Sequence, residues 1–142
     1  MSWRYILSVV GTLVAFLGAA MLLPLGFSLY HEDGSFYPLA LSAAVTLAVG
    51  LAAYFMLRQP AQNAVGTREG MAIVTVGWTA VGLFGALPFW FSGACPFTDA
   101  FFESISGFTT TGASIFTDID AIPEGILLWR SLIQWLGGMG II

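Results

Sequence analysis

The chain has 142 residues, 58% of them hydrophobic and only 8% charged, against about 25% charged in an ordinary soluble domain. So few charges cannot cover a water-facing surface, and the bilayer must be the solvent for most of the chain. The net charge is −4 and all four basic residues are arginines, which excludes the basic face that nucleic-acid phosphates require.

Residues 5–30 carry no charge. As a helix rising about 1.5 Å per residue they can cross a hydrocarbon core of about 30 Å. A signal peptide with Arg4 as its basic start and a small-residue site near Gly18, Ala19 and Ala20 is the alternative, but the run exceeds the usual apolar stretch of about 7–15 residues. His31, the single histidine, lies beside Glu32 and Asp33. Three adjacent residues lack the spacing of a metal site and read as a solvated interfacial turn. Residues 35–57 form a second uncharged run. Ala40, Ala44, Ala48 and Ala52 recur every four residues in it, as Gly11, Ala15 and Ala19 do in the first. Such stripes let membrane helices approach closely, so the two helices are expected to lean on each other or on neighbours. Residues 58–70, "RQPAQNAVGTREG", form a polar linker, with Thr67 expected to cap the next helix and Glu69 in its first turn. Residues 1–66 thus read as two N-terminal transmembrane helices.

Residues 67–142 read as a second unit, opening with a membrane helix at 70–92 that Pro88 bends or ends. Cys95, the single cysteine, allows no intrachain disulfide or cysteine-based metal site. Residues 98–107, "TDAFFESISG", are too short to span, at about 15 Å of helix. Thr98 or Asp99 is expected to cap this helix, and Phe101, Phe102, Ile105 and Phe108 follow helical spacing. "TTTGAS" at 109–114 and "IFTDIDAIPEG" follow, which suggests a segment that enters the membrane halfway and leaves on the same side. Another membrane helix begins at residue 125 and carries Arg130. The chain stops at "GGMGII" with no basic flank or polar tail, which reads as a fragment cut within a helix; a complete short protein is the alternative. Gly137, Gly138 and Gly140 follow no strand and do not match G-x-G-x-x-G, so close packing or a helix break is expected there.

If the first two runs span, Arg4, Arg58 and Arg68 share one side, which the positive-inside rule makes cytoplasmic. The N-terminus is then cytoplasmic. His31, Glu32, Asp33, Asp99, Asp118, Asp120 and Glu124 face outward, giving a negative field that concentrates cations.

Irregular backbone within a bilayer is tolerated only where protein buries it or where it lines a cavity. One reading of "TTTGAS" is an ordinary interhelical loop. The other is an ion filter, in which backbone carbonyls replace the hydration shell of a potassium ion. Glycine permits positive φ, and the negative end of the short helix favours a cation. Glu103 and Arg130 are the charges expected near membrane depth, where such residues are costly and are paired or functional. Glu103 either attracts ions or bonds the filter or pore-helix backbone, with Arg130 pairing to it or to Asp118, Asp120 or Glu124. The structural role is preferred, so Glu103→Gln is expected to spoil assembly more than permeation. No nucleophile–base pair, metal cluster or nucleotide loop is visible, so neither enzymatic activity nor a cofactor is expected.

Residues 101–142, "FFESISGFTTTGASIFTDIDAIPEGILLWRSLIQWLGGMGII", resemble the first pore-forming unit of the Trk/Ktr/HKT superfamily of cation transporters, closest to the bacterial Trk-type potassium-uptake membrane subunits. The earlier helices fit that arrangement, so the resemblance covers essentially the whole chain. It implies an all-α membrane protein: two N-terminal transmembrane helices, then membrane helix, pore helix, filter loop and membrane helix. It implies potassium uptake across the bacterial inner membrane. Thr109, Thr110, Thr111, Gly112 and Ala113 would present carbonyls to the ion, with potassium at Thr110, Thr111 and Gly112, and Glu103 and Arg130 would support the pore. In plant members, serine at the position of Gly112 is associated with sodium preference, so glycine favours potassium. Gly112→Ser is expected to impair uptake far more than Ser114→Ala. Further pore units in one chain, a homodimer and a cytosolic nucleotide-binding regulatory subunit are implied as partners. The alternative function is a non-conducting membrane scaffold or assembly protein.

Overall fold

The computed structural model describes residues 2–32, 34–60 and 65–139. Asp33, linker residues 61–64 and the last residues 140–142 lie outside the described residues, so the expectations for Asp33 and Gly140 have no structural counterpart. The chain is an all-α membrane protein. Among the described residues the helices are α1 (Trp3–Ala20), α2 (Leu22–His31), α3 (Phe36–Leu57), α4 (Thr67–Phe91), α5 (Phe97–Phe108) and α6 (Glu124–Gly138), with a 3-10 turn at Ile119–Ala121. Three helical stretches among the described residues, Trp3–His31, Phe36–Leu57 and Thr67–Phe91, are long and apolar enough to cross a membrane.

The first stretch is interrupted at Met21. Pro24 has no N–H to donate to the carbonyl four residues back, and the break falls within that turn. α2 ends at Glu32, whose φ of 51° closes the helix in the left-handed region.

α1 and α3 meet through glycine. A Cβ on Gly50 would overlap the backbone of Ala15, and one on Gly11 would come within 2.7 Å of Ala53 Cβ. Gly18 likewise faces Leu47 at 2.8 Å. The expected packing stripe of α1 therefore holds at Gly11 and Ala15, while Ala19 is exposed. The α3 stripe is not the face that meets α1. Ala44, Ala48 and Ala52 are exposed, and the buried face is Leu39, Ser42, Ala43, Thr46 and Gly50. Alanine spacing was a poor guide because Gly50 admits closer backbone approach and sets which face turns inward.

Polar ties gather one end of the bundle. The Ser2 amide donates to Glu69 Oε1 at 3.0 Å, the Ser2 hydroxyl to Gln59 Oε1 at 3.2 Å, and Arg4 to the Met56 carbonyl at 3.4 Å. These bring together the start of α1, the end of α3 and the start of α4. Thr67 is not the cap expected of it: Gly66 occupies the N-cap and makes no side-chain bond. Pro88 lies inside α4, which runs on to Phe91.

One core joins both halves, with Met21 and Leu39 in the same apolar cluster as Phe89, Ile126, Trp129 and Ile133. Within it α4, α5 and α6 interlock over small residues. Gly82 and Gly85 receive Ile105 and Phe108, Gly107 receives Ile133, and Gly137 abuts the Phe108 backbone. The buried Trp129 indole donates to the Gly85 carbonyl at 3.0 Å. That bond satisfies the only polar atom of the largest side chain in the core.

Candidate functional site

α5 has 12 residues and is about 18 Å long, well short of a bilayer core. Pro96 occupies its N-cap without a side-chain bond, so neither Thr98 nor Asp99 caps it. Proline's fixed φ suits a helix boundary, and the helix begins one residue before Thr98. Ala100, Glu103, Ser104, Ser106, Gly107 and Phe108 are buried against α4 and α6. Residues 92–96 and Asp99 then line one groove of about 540 Å³ with residues 115–118 and 121–123. The chain that leaves α5 therefore returns to the level at which α5 began.

The turn at the end of α5 is built from its own freed carbonyls. Thr110 N–H donates to the Gly107 carbonyl and Thr111 N–H to the Ser106 carbonyl, both at 3.0 Å. This pair is the Schellman closure of a helix, which usually places glycine in the left-handed position. Here Thr110 occupies it, at φ 56°, a conformation that is uncommon for a β-branched residue. Gly112 follows at φ 78°, with nothing within 4 Å of where a Cβ would stand.

Residues 109–114 are all exposed, directly after a buried helix. Among the described residues, the carbonyls of Thr109, Thr110, Thr111 and Gly112 accept no hydrogen bond, whereas that of Ala113 accepts one from the Ser106 hydroxyl at 2.6 Å. The threonine hydroxyls are turned to local partners. Thr109 Oγ1 donates to the Ile105 carbonyl at 2.7 Å and lies 2.7 Å from Thr111 Oγ1.

Glu103 is 1% exposed and fully partnered. Its Oε1 accepts from the Ser114 hydroxyl and the Ile115 N–H, each at 2.6 Å, and its Oε2 pairs with Arg130 Nε at 3.2 Å. Of the partners open to Arg130, the structure selects Glu103. The Glu103 carboxylate bonds neither the backbone of α5 nor residues 109–113, but the segment just after them, at Ser114 and Ile115. Ser114 is consequently not a neutral position: its hydroxyl also accepts from the Phe116 N–H at 3.1 Å.

Gly137 lies against the Phe108 backbone so closely that a methyl there would overlap the Phe108 carbonyl, while a methyl on Gly138 would stand 3.7 Å from Thr110 Cγ2. Cys95, in the loop before α5, has its thiol pKa pushed up to about 11 by partial burial and then by the charges of Asp99 and Glu103. Among the described residues no cluster of His, Cys, Asp and Glu could hold a metal ion. A backbone carbonyl site leaves no such signature.

Sequence reasoning missed Ser106, the bonds that Ser114 makes and the positive φ of Thr110. Serine spacing carries no signal of its own, and nothing in "TTTG" marks which residue adopts positive φ besides glycine. The seven-residue separation of Ser106 and Ala113, one end on a helix and the other past a turn, was the only hint available.

Comparison with known proteins adds an independent line. Residues 39–142 match the profile of the TrkH family, described as a cation transport protein. The whole chain aligns with the Trk system potassium uptake protein TrkH of Halomonas elongata at 42% identity over 144 residues, and with that of Escherichia coli K12 at 41%. It is similar in structure to the crystal structure of the potassium transporter TrkH from Vibrio parahaemolyticus, with TM-score 0.91 and 38% identity over 99% of this chain. In each case the chain spans about 30% of the length of the relative it matches.

Proposed function

The chain belongs to the TrkH family of cation transport proteins, and from that premise we propose that it supplies the first pore unit of a potassium-uptake transporter. α4 is the first membrane helix of the unit, α5 the pore helix, residues 109–114 the filter and α6 the second membrane helix. Residues 1–66 are the two preceding transmembrane helices. Potassium is held by carbonyls of Thr110, Thr111 and Gly112, with Thr109 and Ala113 completing the carbonyl run, and Glu103 and Arg130 support the segment from behind. The observation that carries this reading is the run of four carbonyls, Thr109 to Gly112, that accept no hydrogen bond at the exposed end of a buried helix. Uncommitted carbonyls are what a filter offers in place of water.

The unit sits in the bacterial inner membrane with its N-terminus in the cytoplasm. Support comes from Arg4, Arg58 and Arg68, which lie near the helix ends gathered by Ser2, Gln59 and Glu69, and from the positive-inside rule. Further pore units from the rest of a longer chain complete the filter. The homodimer and the cytosolic nucleotide-binding regulatory subunit rest on the family resemblance alone.

The test is rubidium uptake by the full transporter in potassium-starved cells. Gly112→Ser meets no steric obstacle but forces an L-residue to φ 78°, and uptake should fall by at least about tenfold, the equivalent of 1.4 kcal/mol. Thr117→Ala, at an exposed position outside the filter, should stay within about twofold. Equal indifference to both changes removes the filter reading.

A further inference from the structure

We propose that Ser106 is the positioning residue that sets carbonyl direction in the filter, and through it the preference for potassium over sodium; this rests on the filter reading above. Ser106 is 5% exposed and holds the segment at two points. Its main-chain carbonyl accepts from Thr111 N–H at 3.0 Å. Its hydroxyl donates to the Ala113 carbonyl at 2.6 Å. The first bond fixes the peptide plane between Thr110 and Thr111. The second fixes the plane between Ala113 and Ser114.

Only the two peptides flanking Gly112 lie between those planes. Their carbonyls belong to Thr111 and Gly112, and their directions follow from the clamped ends together with the positive φ of Gly112. Burial keeps water from competing for the serine hydroxyl. The bond also leaves the Ala113 carbonyl with one lone pair instead of two for an ion. Glu103 grips the chain farther on, at Ser114 and Ile115, so it anchors the exit from the segment but cannot set these two planes.

A merely structural serine would affect how much transporter reaches the membrane. A positioning serine changes which ion it prefers. The readout is therefore the concentration of sodium, relative to potassium, that halves rubidium uptake by the full transporter in cells lacking their own potassium uptake, normalised to membrane protein. Ser106→Ala should reduce the discrimination by about fivefold, the scale of one net hydrogen bond. Ser106→Thr, which keeps the hydroxyl, should restore it, and Ser106→Cys, with its weak donor, should fall between. An unchanged ratio in Ser106→Ala overturns the proposal. If that variant does not reach the membrane, an unchanged ratio in Ser106→Cys overturns it equally. Gly112→Ser in the same assay separates the two levels: an effect there with none at Ser106 rejects the positioning role alone, and no effect at either position rejects the filter.

Discussion

Glu103 shows how a charge is accommodated where hydration is scarce. Its two oxygens take three donors, one of them cationic, so removing any one leaves a buried acceptor short. Arg130→Gln should lower the stability of the purified full transporter by about 2–3 kcal/mol, less than for a wholly enclosed pair because Arg130 is 24% exposed. Glu103→Gln should be at least as harmful, since its amide would point donors at existing donors. Thermal unfolding in detergent and the amount of membrane protein measure both. Normal amounts of Glu103→Gln with a selective loss of ion flux would instead favour ion attraction by the carboxylate. That Glu103 needed a partner was legible in the sequence, because a carboxylate in an apolar run is costly. Which carboxylate would take Arg130 was not, because Asp118, Asp120 and Glu124 lie nearer to it along the chain than Glu103 does and only the fold decides between them.

At the scale of helices, the contacts rest on missing side chains. Gly137 and Gly138 are neighbours in α6 with opposite demands. Gly137→Ala would drive a methyl into the Phe108 carbonyl and push α6 from the end of α5, at a cost of about 1–3 kcal/mol. Gly138→Ala enters ordinary contact with Thr110 Cγ2 and should be tolerated. Rubidium uptake and protein amount for the two variants side by side test this; equal tolerance would show that α6 is not held at that point. The existence and approximate place of each long helix could be read from uncharged runs, and the shortness of α5 from its ten-residue signature. Of the helix faces, that of α1 could be read at Gly11 and Ala15, but the face α3 turns to it could not. The alanines of α3 advertised a stripe, yet one glycine outweighed them. Caps failed similarly at Thr67, Thr98 and Asp99, where Gly66 and Pro96 stand at the boundaries instead.

For the molecule as a whole, the start of α1, the end of α3 and the start of α4 share one level, and the loop holding Cys95 lies at the far end of α4. With other thiols in the full transporter replaced, Cys95 should react with a membrane-impermeant maleimide added outside intact cells, and not with one confined inside. Because its pKa is raised to about 11, the neutral thiol prevails at pH 8. In inside-out and right-side-out vesicles the rate should climb as pH rises toward that value, and Asp99→Asn should bring the rise to lower pH by removing one opposing charge. Labelling from the inside alone would reverse the orientation.

Thr110 carries a further consequence. Its left-handed backbone costs about 1–2 kcal/mol that a glycine would be spared. In exchange, a branched residue has few other conformations to wander into, whereas glycine has many. The disorder of the segment is thus removed once, during folding, and would not be removed again when a ligand arrives. If the segment is the filter proposed above, stiffness of this kind would favour throughput: a cation would meet carbonyls already arrayed, and leave without the chain having to relax behind it.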